Sequence, residues 1–222
     1  MIAAATIVFF FIVTIATIIT STYFSKKNTV LRKLKACQTK SISGFNTSQP
    51  TKVTGKVLSV TNPFIAPYSK RACIAYNFEV KQRVSNGKHT RWRILIRKEK
   101  IQDFFIENNG ELVMIKPMES NYLLYMEEDK RVESGIFNKP NEKFVQVLKD
   151  LGIENENWLG FNKRLKYTER IIEVGETVTV GGIAKLKSLN KPIEGYNYSK
   201  IAVLESNETQ RLIITDTPEA RT

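Results

Sequence analysis

A chain of 222 residues, 42% hydrophobic and 25% charged, is long enough for one ordinary domain plus a flanking segment and too apolar for a disordered tail. Its net charge of +12 is unevenly placed: Lys26, Lys27, Arg32, Lys33, Lys35 and Lys40 precede Pro50 with no acidic residue among them. A basic chain suits nucleic acid or a membrane surface, and cations crowded beside an apolar stretch favour the membrane surface.

That stretch is Ile2 to Phe24, uncharged and apolar apart from Thr and Ser. As a helix it would reach about 34 Å, enough to cross a hydrocarbon core roughly 30 Å thick. No basic residue precedes it, it is too long for the apolar part of a signal peptide, and no small-x-small site precedes Ser25. The sequence therefore predicts a single-pass transmembrane anchor over 1–25. The cations that follow place the rest of the chain on the cytoplasmic side. Residues 26–50 then read as a basic juxtamembrane segment and a Ser/Thr-rich linker, and 51–218 as the folded domain.

Within the domain, Val53, Val57, Leu58 and Val60 suggest a first strand, stopped at Asn62-Pro63. Ile74, Tyr76, Phe78 and Val80 alternate with Asn77, Glu79, Lys81 and Arg83, the mark of a half-buried strand. A three-residue loop, Ser85 to Gly87, would pair Val80 with Trp92, Phe78 with Ile94 and Glu79 with Arg93. That register buries Trp92 and puts Gly87 at positive φ. A second hairpin turns at Asn108 to Gly110, and Tyr122 to Glu127 reads as a further strand. Phe144, Val147, Leu148 and Leu151 then recur at helical spacing, with Gly152 placed to end the helix. Val174, Val178 and Val180 return to strand, with breaks at Gly175 and Gly181-Gly182. The expected fold is α+β: an N-terminal transmembrane helix, then a mainly β domain (small barrel or bent antiparallel sheet) with a short helical insert.

Residues suited to chemistry are few. His89 is the one histidine and lies just past a turn; with Cys37 and Cys73 it falls short of a zinc site rich in sulfur and nitrogen. No GxSxG, Walker A, GxGxxG, HExxH or CxxC motif occurs. Glu127, Glu128 and Asp129 adjoin Lys130 and Arg131 and read as a solvated turn. Cys73 begins a strand, and a small thiol there is a packing residue; a nucleophile would need a neighbouring base. No cofactor is expected.

Four segments carry a family resemblance: "VTGKV" from Val53, "APYSKRACIAYNFEV" from Ala66, "FFIENNGELVMIKP" from Phe104 and "YTERIIEVGETVTVGG" from Tyr167. Together they resemble the GIDE family of membrane-anchored RING-type E3 ubiquitin ligases, in its "beside a membrane" domain, over about Val53 to Asp216. The resemblance singles out Gly55, Pro67, Cys73, Tyr76, Gly110, Pro117, Glu169, Gly175 and Glu176 as structural or partner-binding positions. It implies a domain that recruits a partner or substrate. The family's transferase activity belongs to a cysteine-rich RING, and no cysteine follows Cys73 here. The expectation is thus a membrane-anchored, non-catalytic interaction domain, with the lipid bilayer and a protein as partners. Two alternatives stand beside it. One is a ligase-type transferase; the other is a nucleic-acid-binding barrel using Lys88, Arg91, Trp92, Arg93, Arg97 and Lys98, disfavoured because the expected register buries Trp92.

Overall fold

The computed structural model describes residues 13–15, 17, 20–45, 49–135, 137–157, 159–188 and 200–221. In chain order its helices are α1 (Lys26–Lys35) and α2 (Glu142–Asp150). Its strands are β1 (Gln38–Thr39), β2 (Pro50–Ser59), β3 (Phe64–Ile65), β4 (Ala72–Ser85), β5 (Thr90–Ile101), β6 (Phe104–Asn108) and β7 (Glu111–Ile115). They continue with β8 (Tyr122–Tyr125), β9 (Lys130–Glu133), β10 (Leu165–Glu173), β11 (Thr177–Ser188), β12 (Lys200–Glu205) and β13 (Leu212–Thr215).

Alternating apolar residues on short strands have no helix to bury them, so the strands bury one another. β2 pairs with β6 and β6 with β7; β7 pairs with β12, β12 with β11, and β11 returns to β2. Five strands thus close a barrel. In order of appearance they run 1-2-3-5-4 and back to 1, antiparallel except for the parallel contact of β7 with β12. This is the Greek-key arrangement of the OB-fold. Val53, Val57, Phe104, Ile106, Val113, Ile115, Val178, Val180 and Leu204 fill the interior. Gly55 is where the wall closes most tightly: a Cβ there would stand 2.2 Å from the Glu107 carbonyl oxygen.

The segment between β2 and β6, together with that between β7 and β11, builds a second sheet. In it β4 lies between β10 on one side and β3 and β5 on the other, with β9 beyond β10. One face carries Tyr76, Phe78, Val80 and Tyr167 and is covered by Phe144, Val147 and Leu148 of α2. Asn141 caps that helix, its Oδ1 accepting from the Phe144 amide at 2.8 Å, and Gly152 follows at φ 69°.

Several expectations need correction. The architecture is mainly β rather than α+β, because the two α-helices are short and each only lines the outside of a sheet. Among the described residues no helix is long and apolar enough to cross a membrane. Of the expected anchor, residues 1–12, 16, 18 and 19 lie outside the described residues. The first part of the basic segment folds as helix α1, which buries Val30 and Leu34 against Ile213 and Ala220. Gly181-Gly182 does not break a strand; β11 runs through it. A Cβ on Gly181 would meet Leu34 at 2.8 Å and Cys37 Sγ at 3.2 Å, so the glycine is what lets α1 and its following turn lie on the sheet.

The β4–β5 register also differs. Val80 faces Ile96 and Glu79 faces Arg97, while Ser85 faces Thr90. The loop holds four residues, 86–89, and the pairing shifts at Leu95, where a bulge skips one residue of β5. Gly87 does take a positive φ of 88°. With this register Trp92 is not buried: it is 38% exposed, with Lys166 Nζ 4.5 Å from its ring centre.

Candidate functional site

The positions singled out by family resemblance fall into three places. Pro67, Cys73, Tyr76 and Glu169 lie around the turn between β3 and β4. Glu169 is fully buried and accepts three hydrogen bonds: from the Tyr68 amide (2.8 Å), the Ser69 amide (2.9 Å) and the Tyr167 hydroxyl (2.8 Å). The carboxylate clamps the 67–70 turn, including Lys70 at φ 62°, onto β10. Burial, then the charge and hydrogen bond of Glu169, push the Tyr167 phenol up. Gly55, Gly175 and Glu176 form a second group where the β10–β11 turn closes on the barrel. There Gly175 donates to the Val57 carbonyl (2.8 Å), and Val57 donates to that of Glu176 (2.8 Å). Gly110 (φ 80°, after Asn109 at 52°) turns the β6–β7 hairpin, and Pro117 opens a 3-10 turn. These are fold-holding roles.

Cys73 is buried among Ala66, Tyr76 and Phe78, with Sγ 3.6 Å from the Phe64 carbonyl oxygen. Burial, then the negative charge of Glu169 and Glu173, pushes its thiol up to about 12. A nucleophilic cysteine needs the opposite shift. Cys37 is buried and raised by the same cause. His89 sits exposed in the β4–β5 loop, and no group of three or more metal-ligating side chains occurs among the described residues.

The basic residues of 26–40 are dispersed. Lys27 bridges Glu127 and Glu219, each at 2.8 Å, and these hydrogen bonds raise its ammonium. Arg32 lies over the Tyr23 ring at 3.8 Å, and Lys40 donates to Gln49 at 3.3 Å. Lys33 and Lys35 fall in the last turn of α1, where cations complement the helix dipole. Lys26 lines a cavity.

That cavity is a groove of 430 Å³. Its floor is the second sheet's other face, with Asn77, Glu79 and Lys81 on β4, Arg97 and Glu99 on β5 and Arg170 on β10. Leu124, Tyr125, Met126 and Lys26 complete the lining. Four cations thus face two carboxylates. Glu79, itself buried, is gripped by Lys81 at 2.6 Å and by Arg97, whose Nε approaches to 2.7 Å. Burial alone would raise its carboxyl, but the hydrogen bonds from Lys81 and Arg97 outweigh this and hold it below the usual range. Glu79 therefore stays charged and fixes two cations in place. Arg170 stands 3.7 Å from Glu128, too far for a good hydrogen bond. The groove is polar, preorganised and cationic. It can hold an anionic group.

Sequence reasoning missed this groove. Glu79 and Arg97 had a signal, opposite charges on adjacent strands, but the bulge at Leu95 and the four-residue loop moved the partner from Arg93 to Arg97. Tyr125 and Lys26 had none, since nothing local says that β8 and α1 meet the second sheet. Comparisons with protein-family models, with curated proteins and with solved structures returned no match.

Proposed function

We propose that the chain is a non-catalytic interaction module whose groove, between the second sheet and β8, takes an acidic segment of a protein partner. One observation carries the reading: a buried glutamate holds Lys81 and Arg97 in place, while Lys26 adds charge that the lining's carboxylates do not balance and Arg170 is engaged only at 3.7 Å, by Glu128. Fixed cations around a polar cleft favour carboxylates by charge complementarity and reject basic segments. The buried, protonated Cys73 weighs against a transferase using this thiol. The GIDE-like segments support the same reading, because that resemblance implies recruitment rather than chemistry.

Single-stranded nucleic acid on the same sheet is the second reading, favoured by the exposure of Trp92 beside Arg83 and Lys166. One assay separates the two. A fluorescent glutamate-rich peptide and a fluorescent oligothymidylate are titrated into the full chain. The proposal expects saturable peptide binding that Arg170→Glu weakens about tenfold. Oligonucleotide binding that depends on Trp92, with no peptide binding, would replace it.

A further inference from the structure

At the far end of the second sheet, away from the groove, three turns carry exposed apolar side chains. Phe137, 98% exposed, rides on a turn closed by two backbone hydrogen bonds between Gly135 and Asn138 (2.8 and 3.1 Å). Leu159 and Phe161, each more than half exposed, sit on a turn whose amides both donate to Asn157 Oδ1 at 3.0 Å. Trp92 and Ile94 are exposed on β5 near the β4–β5 loop. The three are tied together. Ser134 donates from its amide to the Leu165 carbonyl (2.8 Å) and from Oγ to that of Lys163 (3.1 Å), and Arg83, Trp92, Phe137 and Arg164 line one shallow cleft of 280 Å³. These turns are therefore held in place with their apolar groups in water. Around them residues 83–93 contribute Arg83, Lys88, Arg91 and Arg93 and no carboxylate, while of the neighbouring carboxylates Glu133, in the cleft, pairs with Lys166 (2.9 Å) and Glu154 with Lys163 (3.3 Å).

We infer that this end docks on an anionic lipid surface, with Phe137, Phe161 and Leu159 entering the headgroup region and the arginines of the β4–β5 hairpin meeting phosphate. Charge complementarity names the occupant, and shape narrows it. A protein partner must offer a pocket for each protruding side chain, whereas a fluid interface accepts protrusions without matching them. Aromatic rings favour that interface, and cations just behind them gain from anionic headgroups. Leu159 and Ile94 offer nothing to a base or a sugar, which disfavours nucleic acid here. The inference uses a surface separate from the groove and stands or falls without it.

The chain carries its own probe. Its two tryptophans are Trp92, at this end, and Trp158, which the sequence places between Asn157 and Leu159. The full chain is mixed with vesicles of phosphatidylcholine alone or with added phosphatidylglycerol, and tryptophan emission and quenching by brominated lipid are recorded. Sedimentation is a poor readout because residues 2–24 are themselves apolar; quenching reports on this end. The expected result is a blue shift and quenching that need the anionic lipid. Phe137→Ser should weaken docking about tenfold, from lost apolar burial, and Arg91→Gln about fivefold, from lost headgroup attraction. Leu186→Ser, at an exposed position on β11, should change nothing. Quenching equal in both lipids, absent in both, or unaltered by Phe137→Ser and Arg91→Gln would overturn the inference. A shift produced by oligonucleotide and not by vesicles would overturn it as well.

Discussion

Replacing Glu169 by Gln keeps the size of the side chain and removes its charge. The carboxylate uses Oε1 for the Ser69 amide and Oε2 for both the Tyr68 amide and the Tyr167 hydroxyl. An amide nitrogen in either place points a donor at a backbone N–H, so one buried donor loses its partner whichever way Gln turns. Hydrogen bonds to a charged acceptor contribute about 1.5–3 kcal/mol each, and a stranded buried donor costs about 1–3 kcal/mol. Relief of the carboxylate's own desolvation offsets part of this. The net loss should be about 2–4 kcal/mol, or roughly 5–15 °C in Tm for a chain of this size. Tyr167→Phe, which removes one donor and strands neither amide, should cost only about 1 kcal/mol. Thermal unfolding measures the totals, and amide hydrogen exchange at Tyr68 and Ser69 locates the loss. A Glu169→Gln protein that melts with wild type and keeps both amides protected would refute the clamp.

Asp216 is buried, its two oxygens accepting from the Glu127 amide at 3.0 and 3.2 Å, and burial raises its carboxyl to about 7. Its folded value lies above its unfolded one, so its contribution to stability is complete below about pH 4 and disappears as pH rises through 7. Asp216→Asn should therefore gain stability relative to wild type as pH rises from 5 to 8, by at most about 4 kcal/mol, read as a widening difference in Tm; parallel Tm–pH curves for the two proteins would contradict this. Gly55→Ala puts a methyl 2.2 Å from the Glu107 carbonyl oxygen, and because backbone must move the cost should reach about 3 kcal/mol or more. Chemical denaturation checks it, and a variant as stable as wild type would show that the barrel wall can spread.

What was legible in the sequence was local. Alternation of Tyr76, Phe78 and Val80 marked one apolar face of a strand, although Ile74 packs in the barrel core instead and Glu79 on the other face is buried too, and the 3–4 spacing of Phe144, Val147 and Leu148 marked the helix that covers that face. The run Asn108 to Gly110 announced a tight turn, which the structure narrows to Asn109 and Gly110, both at the positive φ that it requires, with Asn108 paired to Glu111. Register was less readable, since a bulge at Leu95 leaves no mark in composition and shifts every pair before it. The cations of 26–35 misled because charge hides amphipathicity: Val30 and Leu34, four apart, form the stripe that docks α1, and Gly181, far along the chain, makes the room. The groove was out of reach, because Lys26, Lys81, Tyr125 and Arg170 are brought together by tertiary contacts between both halves of the chain.

The most direct test of the account is the affinity of a glutamate-rich peptide for the intact chain, compared with Lys26→Glu and Arg170→Glu. The groove predicts saturable binding that falls with salt and that each charge reversal weakens about tenfold, while thermal stability stays near wild type. Peptide binding unchanged by both reversals, or absent at low salt, would show that these cations serve the fold and not a partner.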